Sequence, residues 1–172
     1  MRKKDVPRYK KRIEKSEKQT KMNLERTDAL KKSIDPNTKT ALNYVEPFDK
    51  TETDEFWRLY VYKNEEKLNV LHLHRKTMFV FGRDKRVADV VLENPSCSAQ
   101  HAILQYRNKT VSENEEEFAA KPTPYLIDLG STNGTKLNGQ KLEEKRYYEL
   151  YESDVLEFGL SQRKYVFLQA SK

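Results

Sequence analysis

Two stretches decide how this chain folds: FGRDKRVADVVLENPSCSAQHAILQY at 81–106 and YLIDLGSTNGTKLNG at 125–139. Each consists of short apolar runs rich in β-branched and aromatic residues. Clusters of Gly, Asn, Asp, Ser and Pro, the residues typical of tight turns, interrupt these runs. The pattern predicts short strands joined by polar loops, with the small polar motifs at the strand ends.

The same pattern extends over the rest of the chain from Trp57 onward. Comparable runs include WRLYVYK at 57–63, DVLEFG at 154–159 and KYVFLQ at 164–169. About ten such runs in roughly 120 residues, joined by short connections, favour antiparallel strands in two packed sheets. The sequence therefore predicts an all-β sandwich. One connection, NKTVSENEEEFAAKPT at 108–123, is long and acidic, and we predict a mobile surface loop inserted there.

The first forty residues differ in composition from the remainder. They carry 14 Lys and Arg against 6 Asp and Glu, whereas the rest of the chain carries 19 against 21. Their aliphatic residues are too sparse for a continuous helical stripe. We therefore predict a disordered, basic N-terminal segment over 1–42 and a folded domain over 43–172.

Three functions are open for the basic segment. It can be a solvated tail, it can carry a nuclear-import signal in RYKKR at 8–12, or it can hold a short partner-binding peptide. The peptide is predicted where the aliphatic residues are densest, around Met22, Leu24 and Leu30.

The composition also limits the cellular setting. No apolar run has the length of a membrane span, and the N-terminus lacks the apolar stretch of a signal peptide. The single cysteine, Cys97, cannot form an intramolecular disulfide. We expect a soluble intracellular protein.

The sequence does not support an enzyme, a metal site or a cofactor site. His72 and His74 share one strand face, but no further ligands follow at a recognisable spacing. Ser98 and His101 suggest a nucleophile and a base, but nothing announces an orienting group or an oxyanion hole.

A binding site is better supported by three motifs at predicted strand ends. They are Gly-Arg at 82–83, Ser-x-x-His at 98–101 and Thr-Asn-Gly at 132–134. An arginine supplies bidentate charge, and hydroxyl and amide groups supply neutral hydrogen bonds, which together suit one phosphate group. No metal or base is needed to hold a phosphate without breaking it.

The order of these motifs resembles that of the forkhead-associated (FHA) domain family over about residues 55–170. The resemblance implies a β-sandwich of about eleven strands that binds phosphothreonine in a partner peptide through loops at one end. It implies that Arg83 and Ser98 bind the phosphate, that Thr132 makes a further contact near it, and that Asn133 holds the peptide backbone.

The resemblance also implies architectural roles for Gly82, His101 and Gly134, with the histidine bracing the loop that carries the motif serine. The chain departs from the family at Ala99, where many members have a basic residue. We predict that Gln100, Lys85 and Arg86 are the nearest substitutes for contacts to the peptide.

Within this family the chain is most similar to the FHA subunit of the pre-mRNA retention and splicing (RES) complex. The segments NYVEPF at 43–48 and RYYELYESDVLEFGLSQRKYVFL at 146–168 contribute to that similarity. It implies a nuclear protein, with the cytoplasm left open, that acts with the spliceosome and helps to retain unspliced transcripts. It also implies that the N-terminal segment binds the subunit with an RNA-recognition motif (RRM).

Two alternatives remain. The chain can be a structural scaffold subunit whose FHA domain acts without phosphate recognition, or the basic segment can contact RNA directly. The second alternative ranks lower, because the segment has one tyrosine and no aromatic stacking pattern.

The two Asn-Gly pairs have different predicted roles. Asn138 and Gly139 in LNGQ suit a two-residue hairpin turn, which needs positive φ angles at both positions. The pair at 133–134 follows YLIDL and belongs to the motif set, so we predict that it lies in the binding loop.

Overall fold

The computed structural model describes residues 33–34, 41–114 and 117–170. Met22, Leu24 and Leu30 lie outside the described residues. Within those ranges all regular structure is strand, and no helix is long and apolar enough to cross a membrane. The thirteen strands are β1 (Ser33–Ile34), β2 (Ala41–Leu42), β3 (Trp57–Lys63), β4 (Glu66–Leu73), β5 (Met78–Gly82), β6 (Val90–Val91), β7 (Ala102–Asn114), β8 (Glu117–Asp128), β9 (Thr135–Leu137), β10 (Gln140–Lys141), β11 (Tyr147–Glu149), β12 (Asp154–Phe158) and β13 (Arg163–Gln169).

Eleven of these strands form two packed sheets. The six-stranded sheet has the order β10-β9-β12-β13-β3-β4, and the five-stranded sheet has the order β11-β8-β7-β5-β6. Neighbouring strands are antiparallel except for the parallel pair β5 and β6. The predicted all-β sandwich of about eleven strands in two sheets is confirmed, and β1 and β2 form a separate small pair.

The core lies between the two sheets and follows from alternation along each strand. In β3 the side chains of Trp57, Leu59 and Val61 are buried, whereas the residues between them are partly exposed. Trp57 stacks on Phe167 of β13 with ring centroids 4.4 Å apart. Burying a large apolar side chain of this kind contributes about 1.5–3 kcal/mol, so the inward rows hold the sheets together.

The prediction of a loop over 108–123 is wrong for the described residues, because β7 extends to Asn114 and β8 begins at Glu117. Antiparallel pairing of β7 with β8 runs from Ala102 and Asp128 out to Asn114 and Glu117. The charge of the segment and its single proline, Pro122, conceal the strand pattern. Pro122 lies opposite Asn108, whose own amide donates away from β8 to the Asp49 carbonyl, so this position of β8 needs no amide hydrogen toward β7.

The segment before β3 is attached to the outside of the five-stranded sheet. Leu42 and Tyr44 are buried, and the Tyr44 hydroxyl hydrogen-bonds the Tyr147 hydroxyl at 2.7 Å. The Arg107 guanidinium donates to both carboxylate oxygens of Asp49, at 3.0 and 2.9 Å, and lies 4.6 Å from the centre of the Tyr147 ring. Charged and aromatic contacts therefore fix this segment in place.

Candidate functional site

The three polar motifs meet at one end of the sandwich. The Arg83 amide donates to the Ser98 carbonyl at 3.0 Å, and the Thr132 amide donates to the Ser98 hydroxyl at 3.2 Å. The His101 ring hydrogen-bonds the Gly134 carbonyl at 3.2 Å. The loop that ends in His101 therefore joins the other two motifs directly.

Gly82 allows that loop to approach the end of β5. A Cβ atom built on Gly82 overlaps the carbonyl oxygen of Ala99, which is backbone and cannot rotate away. The approach is fixed on both sides, because the Asp84 amide donates to the Ala99 carbonyl at 3.1 Å and the His101 amide donates to the Phe81 carbonyl at 2.8 Å. A glycine is needed here for space and not for a positive φ angle.

His101 connects the motifs from a fully buried position. Its Nδ1 atom accepts a hydrogen bond from the Ser98 amide at 3.1 Å. The hydrogen must then reside on Nε2, which donates to the Gly134 carbonyl, and this network assigns the neutral tautomer. Burial lowers the pKa of His101, while the Asp128 carboxylate and the Gly134 carbonyl oppose this effect.

We expect the stability of the domain to fall as the pH is lowered from 7 to 5, because the unfolded chain protonates His101 more readily than the folded domain does. The unfolded pKa is about 6.5 and the folded pKa is lower. The stabilisation from a neutral His101 is fully present above the unfolded pKa. It declines as the pH falls from the unfolded pKa to the folded pKa. Urea unfolding at both pH values should show a smaller difference for His101→Gln than for the wild type. If the free energy of unfolding changes equally between the two pH values in the variant and in the wild type, His101 does not cause the pH dependence.

Asp128 organises the loop between β8 and β9, and the sequence analysis did not identify it. Its carboxylate accepts hydrogen bonds from the amides of Gly130 and Ser131, both at 2.8 Å, and from the hydroxyls of Ser131 and Thr135 at 2.7 and 2.6 Å. Burial acts to raise the pKa of Asp128, but these hydrogen bonds outweigh it and lower the pKa. The signal in the sequence is an Asp two residues before a Gly, a typical Asx turn.

Arg83 is exposed and only partly engaged. Its Nε atom donates to the Cys97 carbonyl at 3.2 Å, which orients the guanidinium. Within the described part of the chain, no acceptor is recorded for its two terminal nitrogens. The Ser98 hydroxyl accepts from the Thr132 amide, so its hydrogen remains available to a ligand. The exposed Thr132 hydroxyl lies on the facing loop. These donors suit an oxyanion with several acceptor oxygens.

Asn133 links its loop to the chain before the motif serine. Its side-chain amide donates to the Ser96 carbonyl at 2.7 Å, and its Oδ1 atom remains to accept a hydrogen bond. The Ser96 hydroxyl in turn accepts from the Leu160 amide at 2.9 Å. Ser96 therefore ties the loop between β12 and β13 to the same end of the sandwich, a role that no motif in the sequence indicated.

The Gln100 side chain, a predicted peptide contact, is engaged within the chain itself. Its Oε1 atom accepts from the Asn43 amide at 2.7 Å, and its Nε2 atom donates to the Ala41 carbonyl at 2.9 Å. Both ends of the side chain therefore hold the backbone of the chain's own N-terminal segment. No local pattern in the sequence indicates these contacts, because the partner residues are almost sixty positions away.

The two basic residues after Arg83 differ in their availability. Arg86 forms a bidentate pair with Asp84, with distances of 2.9 and 2.7 Å, which lowers the pKa of Asp84 to about 2. Lys85 is exposed, and no hydrogen bond or ion pair is recorded for it among the described residues. Of the two, Lys85 is the one free to contact a ligand.

The two Asn-Gly pairs occupy different surroundings. Asn138 and Gly139 have φ angles of 52° and 79° and join β9 to β10, as expected for a hairpin turn. Gly139 has open space around its missing side chain. Gly134 also has a positive φ, of 80°, but the side chain of Lys141 lies across it and its carbonyl holds His101.

The histidine pair at the end of β4 consists of His72 on the strand and His74 just after it. The rings of His72 and His74 lie 5.9 Å apart, and His72 is exposed. Among the residues with described placement, no three His, Cys, Asp or Glu side chains are grouped as a metal site would require.

Comparisons with known proteins agree with this geometry. Residues 79–159 match the model of the FHA domain. The chain is 42% identical over 151 residues to Smad nuclear-interacting protein 1 of Mus musculus, with 88% of this chain and 39% of that protein covered. It is 45% identical over 128 residues to the FHA domain-containing protein DDL of Arabidopsis thaliana, with 74% of this chain and 41% of that protein covered.

A solved structure extends the comparison. The yeast Pml1 splicing factor, described together with its integration into the RES complex, is 25% identical with a TM-score of 0.64. The match covers 77% of this chain and all of that one. The chain spans about two fifths of the length of the curated relatives. The sandwich, the three joined motifs and these matches show that the chain belongs to the FHA domain family.

Proposed function

We propose that this chain is a non-catalytic module that binds phosphothreonine peptides through Arg83, Ser98 and Thr132. The observation that carries the proposal is the Arg83 guanidinium, which is oriented by the Cys97 carbonyl while its terminal nitrogens have no recorded acceptor in the described chain. The Ser98 hydroxyl and the exposed Thr132 lie on adjoining loops. In this proposal the charged donor of Arg83 and the neutral hydroxyl donors of Ser98 and Thr132 bind the same phosphate group.

The mechanism is binding that depends on phosphorylation. A phosphothreonine brings about −1.5 to −2 charges at pH 7 and three strong acceptor oxygens. Arg83 and the two hydroxyls supply the matching donors, and the Oδ1 atom of Asn133 accepts from the peptide backbone. The unphosphorylated threonine offers neither the charge nor the acceptors, so it binds weakly.

The cellular setting of the proposal comes from similarity. The chain resembles the Pml1 splicing factor, whose structure was described with its integration into the RES complex. We infer that it is a subunit of a nuclear pre-mRNA retention and splicing complex and acts with the spliceosome. In this proposal the segment over 1–42, with Met22, Leu24 and Leu30, anchors it to the subunit with the RRM.

A scaffold role without phosphate recognition is the second candidate, and one observation favours it. Ala99 replaces a basic residue of many family members, and the neighbouring Gln100 side chain is bound to Ala41 and Asn43. The site therefore offers fewer peptide contacts than the motifs alone suggest.

Deleting residues 1–40 is expected to abolish assembly with the RRM-containing subunit, because the proposed anchor is removed. Phosphopeptide binding by the remaining domain is expected to persist. Co-purification of tagged subunits measures the first effect, and fluorescence anisotropy measures the second. If Arg83→Ala leaves splicing and pre-mRNA retention unchanged in cells while the deletion abolishes both, the scaffold function is correct and the phosphopeptide proposal fails.

A further inference from the structure

The outer face of the six-stranded sheet carries an unusual row of side chains. Because Trp57, Leu59 and Val61 point into the core, alternation along β3 places Arg58, Tyr60 and Tyr62 on the outside. These three residues are half-buried and lie on a strand with neighbours on both sides. Outward positions of a sandwich are usually polar, so two adjacent aromatic side chains there call for an explanation.

Three basic residues adjoin this row. The strand registers place Lys67 of β4 and Lys164 of β13 on either side of Tyr62, and His72 beside Arg58. The Lys67 ammonium lies 4.7 Å from the centre of the Tyr60 ring. On the same face the registers place Val70 and Val166 beside Tyr60, so the lysines lie at the Tyr62 end of the row.

Arg58 has an unmet hydrogen-bonding need. Its Nε atom is buried and has no partner among the described residues, and the same is true of the His74 Nδ1 atom on the adjacent strand end. A buried donor without an acceptor is rare in a folded protein. The guanidinium of Arg58 calls for an anionic acceptor.

We propose that this face binds single-stranded RNA, with bases stacked on Tyr60 and Tyr62 and phosphates held by Arg58, Lys67 and Lys164. Outward residues two positions apart on a strand lie about 6.8 Å from each other, which lets consecutive bases stack on separate rings. Lys67 is exposed, and in this proposal its ammonium leaves the Tyr60 ring for a phosphate when a base binds. The flat aromatic faces favour bases over an acidic peptide, which would need only the charges. The face is separate from the phosphopeptide loops.

The test uses the full chain and a fluorescein-labelled oligouridylate of about twelve nucleotides, followed by fluorescence anisotropy. The double variant Tyr60→Ala/Tyr62→Ala is expected to raise the Kd about ten-fold or more, whereas Tyr60→Phe/Tyr62→Phe retains binding. Tyr9→Ala in the basic segment is the matched control and is expected to leave the Kd unchanged. Arg83→Ala is expected to retain RNA binding, which separates this proposal from the phosphopeptide site.

A second variant covers the case in which the alanine pair does not fold. Lys67→Gln/Lys164→Gln changes only exposed side chains. It should reduce the magnitude of the negative slope of the logarithm of the association constant against the logarithm of the salt concentration by about 1.4. An unchanged slope and an unchanged Kd overturn the proposal. So does a folded Tyr60→Ala/Tyr62→Ala variant that binds the oligouridylate as the wild type does. If that variant instead loses binding of a labelled Glu/Leu peptide, the face docks an acidic protein segment.

Discussion

Replacing Arg83 by alanine is expected to abolish measurable binding of phosphothreonine peptides while leaving the fold intact. The side chain is exposed, and its one side-chain hydrogen bond among the described residues goes to the Cys97 carbonyl. A hydrogen bond to a charged group contributes about 1.5–3 kcal/mol, so losing a bidentate pair to phosphate costs about 3–6 kcal/mol. The Kd should rise at least about a hundred-fold.

The matched control for this variant is Arg86→Ala. It removes the same charge three residues away, but Arg86 is already paired with Asp84 at 2.7 Å. We expect only a small increase in the Kd. Fluorescence anisotropy with phosphorylated and unphosphorylated forms of one peptide measures both variants. An unchanged Kd for Arg83→Ala, or equal effects of the two variants, would refute the assigned role of Arg83.

Replacing Gly82 by alanine is expected to have the largest effect on stability of any single change in the site. The added methyl group overlaps the Ala99 carbonyl oxygen, and the loop cannot retreat without breaking the amide hydrogen bonds to Ser98 and Ala99. We expect a loss of about 3 kcal/mol or more in the free energy of unfolding, together with weaker phosphopeptide binding. Urea unfolding monitored by fluorescence of Trp57 measures the first effect.

Gly139→Ala is the control that distinguishes the effect of a steric overlap, as at Gly82, from the effect of a positive φ angle. Gly139 has a positive φ of 79° but nothing within 4 Å of an added Cβ. We expect a loss of about 1 kcal/mol and unchanged phosphopeptide binding. If the two glycine variants are equally stable, the close approach of the loop to Gly82 is not required.

The fold could be predicted from the sequence because its signals are local. Runs such as WRLYVYK at 57–63 show alternation, and turn residues such as Asn138 and Gly139 mark the strand ends. The extension of β7 and β8 through 108–114 and 117–123 was missed, since charge and proline are statistically loop-like. Pairing with the opposite strand overrides that preference.

The site could be predicted only in part. The resemblance to the FHA motif order implies the roles of Arg83, Ser98 and Thr132, and the structure brings their loops together. Asp128 and Gln100 show where sequence reasoning ends. The hydrogen bonds of Asp128 depend on how its loop closes, and those of Gln100 depend on a segment distant in sequence.

The most direct test of the central claim is a nuclear magnetic resonance titration of the isotope-labelled chain with one phosphothreonine peptide and its unphosphorylated form. We predict that the amide signals of Arg83, Ser98, Thr132 and Asn133 shift with the phosphorylated peptide alone, while that of Gly139 stays in place. Equal shifts with both peptides, or shifts that avoid these loops, would contradict the account.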